Sequence, residues 1–160
     1  MALPQRREPE NRYESSLCAG HLLVWTWRKF VIGHADCPVL VREYVRFAGG
    51  RADELLMAFA AFLQALGGGS RRTLAVGHPH CSGLTPDETQ ILQLIAAAQD
   101  GDAALLAAHL RWMVKADHHI AATAAVGALA AQLSDCGVTL PEAHYAPPPA
   151  HALLEVVRPN

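Results

Sequence analysis

The chain has 160 residues, of which 51% are hydrophobic, and its formal net charge at neutral pH is −2. This length and apolar content support one compact core and disfavour two domains of ordinary size. The net charge is small and the basic residues are scattered over several segments, so the sequence gives no indication of a nucleic-acid-binding surface.

A membrane-spanning segment is also not indicated. The longest apolar run extends from Leu22 to Ile32 and is interrupted by Thr26, Arg28 and Lys29. A spanning helix needs roughly 20 apolar residues, and residues 1–12 lack the apolar core of a secretory signal. The four cysteines are widely spaced, without a Cys-x-x-Cys pair. We therefore expect a cytoplasmic protein with free thiols and no membrane partner.

The first half of the chain predicts an N-terminal arm and three helices. Residues 1–12 are polar and lack periodicity, which predicts a flexible arm. A serine at 15 or 16 can cap a first helix that ends near Ile32, with Arg28 on its solvent side. Pro38 suits the first position of a second helix, because its missing amide hydrogen costs nothing there. The third helix covers residues 52–66, and the three glycines that follow are expected to end it.

The segment from Arg71 to Glu88 departs from the helical pattern. Residues 73–76 are β-prone, but no second strand is evident to pair with them, so we expect extended coil or an edge against a partner chain. Thr85, Pro86 and Glu88 form the strongest local signal in the sequence. A threonine cap, a proline at the first position and a glutamate three residues after the cap predict a capping box and a helix start.

Three further helices are expected after the segment. The first begins at Thr85 and stops at Gly101, and the second is capped by Asp102. The third is capped by Asp117 and runs from about His118 to Cys136. Because this last helix is rich in alanine and contains Gly127, we predict that it is buried and tightly packed.

These elements predict an all-α fold, a compact orthogonal bundle of about six helices with at most one short extended segment. The expected organisation is a flexible N-terminal arm at residues 1–12, one helical domain at 13–140 and a proline-rich C-terminal arm at 141–160. That last arm contains Pro147–Pro149 and a short apolar run, and it is expected to dock on the body or on a second copy.

A zinc site is the sharpest chemical hypothesis. Histidine and cysteine side chains are the usual zinc ligands, and they occur in two loops that each follow a glycine. The candidate ligands are His34, Cys37, His78, His80 and Cys81. His34 and Cys37 have a spacing that can chelate one ion from a turn. The set lacks the two tight ligand pairs typical of structural zinc sites, so a loop without metal remains the alternative.

The same segment is also compatible with two other types of site. A cysteine in residues 77–85 could be activated by His78 or His80, which would make the protein a small enzyme. Arg71 and Arg72 could bind an anion near the helix start at Thr85, although Asp87 already supplies negative charge there. No nucleotide-binding or hydrolase motif is present in the sequence.

The function expected from these patterns is non-enzymatic. The β-prone segment, the apolar C-terminal arm and the surplus apolar residues of the first helix all predict surfaces for a protein partner, of which a second copy is the simplest. The expectation is a small helical binding or regulatory protein that forms a homodimer. Its abundance of alanine, and of arginine over lysine, is typical of bacterial proteins encoded by GC-rich genomes.

Overall fold

The computed structural model describes residues 9–141 and 153–154, with side chains described for residues 19–141. Six α-helices and two short strands are labelled in chain order. They are α1 (Pro9–Val31), α2 (Pro38–Ala48), α3 (Ala52–Gly69), β1 (Val76–Gly77), α4 (Pro86–Asp100), α5 (Ala103–Met113), α6 (His119–Asp135) and β2 (Leu153–Leu154). Single turns of 3-10 helix, Gly49–Arg51 and Ala116–His118, precede α3 and α6. The prediction of a mostly helical fold is confirmed.

Local signals place several of the helix ends. Pro38 begins α2 and Asp102 caps α5, where its carboxylate accepts a hydrogen bond from the amide of Leu105 at 2.9 Å. Gly101 ends α4 in the left-handed conformation, with φ of 72°, which glycine adopts without steric cost. These ends agree with the sequence predictions, because each depends on residues within one helical turn.

Three predicted boundaries are corrected. Helix α1 begins at Pro9, inside the range expected to be a flexible arm, and residues 1–8 lie outside the described part of the chain. Helix α3 continues through its terminal glycines to Gly69 instead of ending at residue 66. At the start of α6, the expected cap at Asp117 is replaced by the 3-10 turn, where no side chain caps the backbone.

Gly69 shows why α3 needs glycine at its end. A Cβ atom placed there would lie 2.5 Å from the Cβ of His118, closer than real carbon atoms approach each other. The carbonyl of Gly69 accepts the amide of Lys115 at 2.8 Å, and the next residue, Ser70, forms an isolated antiparallel bridge with Val114. The end of α3 is thereby joined to the connection between α5 and α6.

The core lies between α3, α4 and α6. Helix α3 packs most extensively against α6, and α4 packs against both α5 and α6. Arg51, just before α3, pairs with Asp135 at the end of α6, while Gly69 at the end of α3 contacts the start of α6. The two helices therefore run antiparallel. None of the helices in the described part of the chain is long and apolar enough to cross a bilayer.

Helix α1 joins this core through a buried tyrosine. The hydroxyl of Tyr44 on α2 lies 3.0 Å from the hydroxyl of Thr26 on α1, and Thr26 in turn donates to the carbonyl of Leu22 at 2.7 Å. Burial raises the pKa of Tyr44 well above its usual value, and the hydrogen bond with Thr26 offsets only part of that shift. The neutral tyrosine thus connects α2 to α1 inside the core.

Candidate functional site

The start of α4 organises the segment that contains most of the predicted site residues. The hydroxyl of Thr85 accepts the amide of Glu88 at 3.0 Å, and the carboxylate of Glu88 accepts the amide of Thr85 at 2.8 Å. This is the reciprocal capping box that the sequence predicts. The box fixes the carboxylate of Glu88 at the buried end of the helix, where its exposure is 0%.

Arg28 on α1 reaches this carboxylate. Its Nε donates to Oε1 of Glu88 and its Nη2 donates to Oε2, both at 2.7 Å, which is the bidentate geometry of a strong ion pair. Arg28 is only 4% exposed, so the prediction that it lies on the solvent side of α1 is wrong. The side chain points inward because the loop before α4 provides hydrogen-bond acceptors for the guanidinium. These acceptors take the place of water.

Those acceptors are three backbone carbonyls of the loop. Nη1 of Arg28 donates to the carbonyls of His78 at 3.2 Å and Cys81 at 2.7 Å, and Nη2 donates to the carbonyl of Gly83 at 2.6 Å. Together with the two bonds to Glu88, this arrangement uses all five N–H donors of the guanidinium. One buried cation therefore sets the path of residues 78–83.

The hydrogen-bond acceptor positions of the Glu88 carboxylate are also all occupied. Oε1 accepts from Arg28 and from the amide of Gly77 at 2.8 Å, while Oε2 accepts from Arg28 and from the amide of Thr85. Four donors occupy the acceptor positions of the carboxylate. The pair is internally neutralised and has no remaining hydrogen-bonding capacity for a substrate, which indicates a structural role for both residues.

The predicted anion site is occupied by a second ion pair. The guanidinium of Arg72 makes two hydrogen bonds to the carboxylate of Asp87, at 2.8 and 2.5 Å, and these bonds raise the pKa of Arg72. Asp87 also accepts the amide of Ala75 at 2.6 Å. Arg71 donates its Nε to the carbonyl of Val114 at 3.0 Å. The two arginines are thus engaged with different partners and do not converge on the start of α4.

The proposed zinc ligands His34 and Cys37 lie in the turn between α1 and α2. The amide of Cys37 donates to the carbonyl of His34 at 3.3 Å, and the imidazole of His34 is exposed. Cys37 occupies the cap position of α2. The backbone amides of Leu40 and Val39, in the first turn of that helix, lower the pKa of the Cys37 thiol.

The other three proposed ligands lie in the loop around Arg28. The rings of His78 and His80 are tilted by 38° relative to each other, with their centroids 5.2 Å apart. Both side chains are exposed, while Cys81 is half-buried. The carbonyls of this loop turn inward toward Arg28. Within residues 19–141, no three or more His, Cys, Asp or Glu side chains are placed to hold one metal ion. The structure therefore does not bring the five predicted zinc ligands together, whereas a catalytic cysteine in residues 77–85 stays a prediction.

The histidines of α5 and α6 do not form a cluster with each other. His109 lies 3.0 Å from the side-chain amide of Gln90, and burial lowers the pKa of its imidazole. His119 lies 2.9 Å from the carbonyl of Val114. Each ring contacts a different helix or connection, so His109 and His119 do not share a site.

Helix α6 presents an apolar surface that the sequence did not predict. We define the α6 face as the exposed residues of this helix between 120 and 131. These are Ile120, Ala121, Thr123, Ala124, Gly127, Ala128 and Ala131. Ile120 is 87% exposed, and a Cβ atom at Gly127 would meet nothing within 4 Å. The prediction that this helix is buried and tightly packed holds for only one of its sides, because alanine occupies the buried and the exposed positions alike.

Comparisons with protein-family models, curated proteins and solved structures found no match to the chain. Its function must therefore be inferred from its own residues. The polar groups at the start of α4 are used within the molecule, and the α6 face is an exposed helix surface without a charged residue.

Proposed function

We propose that this is a non-enzymatic helical protein that acts through protein–protein contacts and self-associates through the α6 face. The observation that carries the proposal is the absence of charge along this face. From Ile120 to Ser134 the helix contains no Asp, Glu, Lys or Arg, although about half of these positions are exposed. A helix that faces water usually carries charged residues on its outer side.

The composition of the face also favours a second helix as its partner. Alanine, glycine and threonine have short side chains, so two backbones can approach closely when such faces meet. Depletion of charge at the centre of a surface is a feature of protein interfaces. Ile120 supplies the one large apolar side chain and would be the natural anchor of the contact.

Charges at the two ends favour an antiparallel pair of copies. Lys115 precedes the start of α6, and Asp135, which also pairs with Arg51 of its own chain, stands at its end. In a two-fold arrangement with antiparallel α6 helices, Lys115 of one copy lies toward Asp135 of the other. The dipoles of the two helices are then antiparallel, and their interaction is favourable. This arrangement buries the uncharged centre of the face and leaves both charged ends at the rim.

A charged substitution in the centre of the face tests the proposal. Ala124→Glu places a carboxylate where two copies would meet, and Ala61→Glu is the matched control on the exposed side of α3. Native mass spectrometry and sedimentation velocity over a concentration series should show dimers for the unmodified protein and for the control, but monomers for Ala124→Glu. A monomeric unmodified protein, or equal dimerisation of both variants, contradicts the proposal.

A further inference from the structure

Helix α2 carries an outer face of mixed apolar and basic character. We define the α2 face as the four exposed residues between positions 41 and 46, which are Val41, Arg42, Val45 and Arg46. Residues four positions apart in a helix lie above one another, so the face consists of a row of two valines beside a row of two arginines. The opposite side of α2 is buried in the core through Tyr44.

The valine row is not explained by the stability of α2 alone. Val41 is 38% exposed and Val45 is 51% exposed. Branching at Cβ makes valine a weaker helix former than alanine, and exposure leaves its apolar surface in water. Helix α3, which packs beside α2, has no β-branched residue at such positions. Its exposed residues between positions 53 and 64 are Asp53, Glu54, Met57, Ala61 and Gln64.

The arginine row lacks matching acidic residues. None of the ion pairs formed within residues 19–141 includes Arg42. Arg46 pairs with Glu43 of its own helix at 3.3 Å, but the two side chains are 75% and 37% exposed, so solvent screens this interaction. Two cations four positions apart in a helix repel each other. Acidic residues of a bound partner, placed beside the two guanidinium groups, would offset this repulsion.

We propose that the α2 face is a docking site for an amphipathic helix of a partner protein, in which a row of Asp or Glu residues lies beside a row of apolar residues. The apolar row covers Val41 and Val45, and the carboxylates lie against Arg42 and Arg46. The exposed valines and the adjacent positive charges, which both disfavour α2 in water, then stabilise the complex. This docking site is on a different helix from the α6 face and does not require self-association.

The geometry of the α2 face favours a helix over other ligands. An extended peptide binds mainly through hydrogen bonds to an open strand edge. The backbone groups in the middle of α2 are paired within the helix, so only side chains are available there. Membrane surfaces are bound through broad apolar faces that contain Trp, Phe or Leu, whereas this face offers two valines. Two side-chain rows, each one helical turn long, match the rows on the surface of a second helix.

A selection from displayed helical peptides tests the proposal without naming the partner in advance. The library keeps an alanine-rich helix and randomises the residues on one side of it, and the bait is the full chain. We expect the enriched peptides to carry Asp or Glu residues four positions apart, next to Leu, Ile, Val or Met. Fluorescently labelled synthetic forms of these peptides are then titrated with the protein, and binding is followed by fluorescence anisotropy.

Arg42→Glu reverses one charge of the α2 face. The matched control is Arg111→Glu on the exposed side of α5, since Arg111 also forms no ion pair within residues 19–141. We expect Arg42→Glu to weaken peptide binding about tenfold, because one attraction is lost and one repulsion is gained. A peptide with Lys in place of its acidic residues should recover part of the affinity for Arg42→Glu. Val45→Ala should weaken binding several-fold while the melting temperature stays unchanged or rises.

Several outcomes overturn the proposal. One is a selection that enriches no acidic helical peptide, and another is equal peptide binding to Arg42→Glu and Arg111→Glu. If Arg42→Glu alone forms fewer dimers than the unmodified protein in sedimentation velocity, a second copy covers the face instead. Binding to vesicles of phosphatidylglycerol and phosphatidylcholine that is lost in Arg42→Glu would identify a membrane surface. The peptide titrations do not depend on the α6 face, so they are decided separately from self-association through α6.

Discussion

The buried pair of Arg28 and Glu88 gives the most demanding test of how this fold is held together. We consider Glu88→Gln, which preserves the shape of the side chain but removes its charge and replaces one oxygen with an amide group. The carboxylate now accepts four hydrogen bonds, two of them from Arg28. In the variant, two of these donors face another donor, and the cation of Arg28 remains buried without a counter-charge.

The expected cost is large. Removing one partner of a buried ion pair destabilises a protein by about 3–5 kcal/mol, since the remaining charge stays desolvated. A domain has a total free energy of unfolding of about 5–15 kcal/mol, so a large part of it would be lost. Arg28→Met should cost a similar amount, because it leaves Glu88 unpaired and also releases the three loop carbonyls that Arg28 now binds.

The two changes together should cost much less than their sum. We expect the double variant Arg28→Met/Glu88→Gln to be about as unstable as either single variant, which corresponds to a coupling of about 3–5 kcal/mol. The exposed pair Arg51 and Asp135, with atoms 3.0 Å apart, is the control. Its double-mutant cycle should give a coupling of about 1 kcal/mol or less.

Urea unfolding at several temperatures, followed by circular dichroism, measures each free energy of unfolding. If a single variant is unfolded in water, that outcome agrees with the expected loss. If Glu88→Gln costs less than about 1 kcal/mol, the bidentate pair contributes no more than an ordinary surface contact. The account of Arg28 as the residue that fixes the loop would then be wrong.

Three further predictions concern packing, pH and thiol reactivity. Gly69→Ala should destabilise the protein by about 1–3 kcal/mol in urea unfolding, because the added carbon would lie 2.5 Å from a side-chain carbon of the next 3-10 turn. Gly68→Ala, which meets nothing within 4 Å, should instead stabilise α3 by about 0.5–1 kcal/mol. Because the pKa of Tyr44 is raised by burial, its contribution to stability is complete below the unfolded pKa of about 10 and is lost as the pH rises further. Tyr44→Phe should therefore flatten the alkaline fall of the unfolding free energy, measured from pH 8 to 11; an unchanged slope counts against a buried neutral tyrosine. Iodoacetamide should modify Cys37 faster than Cys136 at pH 7, as followed by mass spectrometry, because the backbone amides at the start of α2 lower the pKa of the first thiol and burial raises that of the second. The reverse order would exclude this explanation.

Some features of the candidate site could be anticipated from neighbouring residues. Thr85, Pro86 and Glu88 predict the capping box because all of its hydrogen bonds form within one helical turn. The same sequence gives no sign that Glu88 also binds Arg28, which is 60 positions away. Arg28 follows Val24 by one helical turn and so shares its buried face, and this spacing is the one signal that could have suggested an inward arginine.

In the β-prone segment and in α6, too, neighbouring residues indicate the local conformation but not the tertiary contacts. An extended conformation at residues 73–76 was expected, but its pairing with Leu153–Leu154 depends on chain segments that meet only after folding. In α6, alanine occupies both the buried and the exposed positions, so periodicity cannot tell which side faces the core. The packing of α3 against one side of α6 determines which side is buried, and it leaves Ile120 on the other side in solvent.

The helical class and most of the helix ends follow from residues close together in the sequence, since these features depend on short-range hydrogen bonds, on backbone preference and on the spacing of apolar residues. The tertiary structure alone decided which polar side chains became part of the interior. A buried cation is stable only where a carboxylate and several carbonyls converge on it, and that convergence between α1, the loop and α4 exists only in the folded chain.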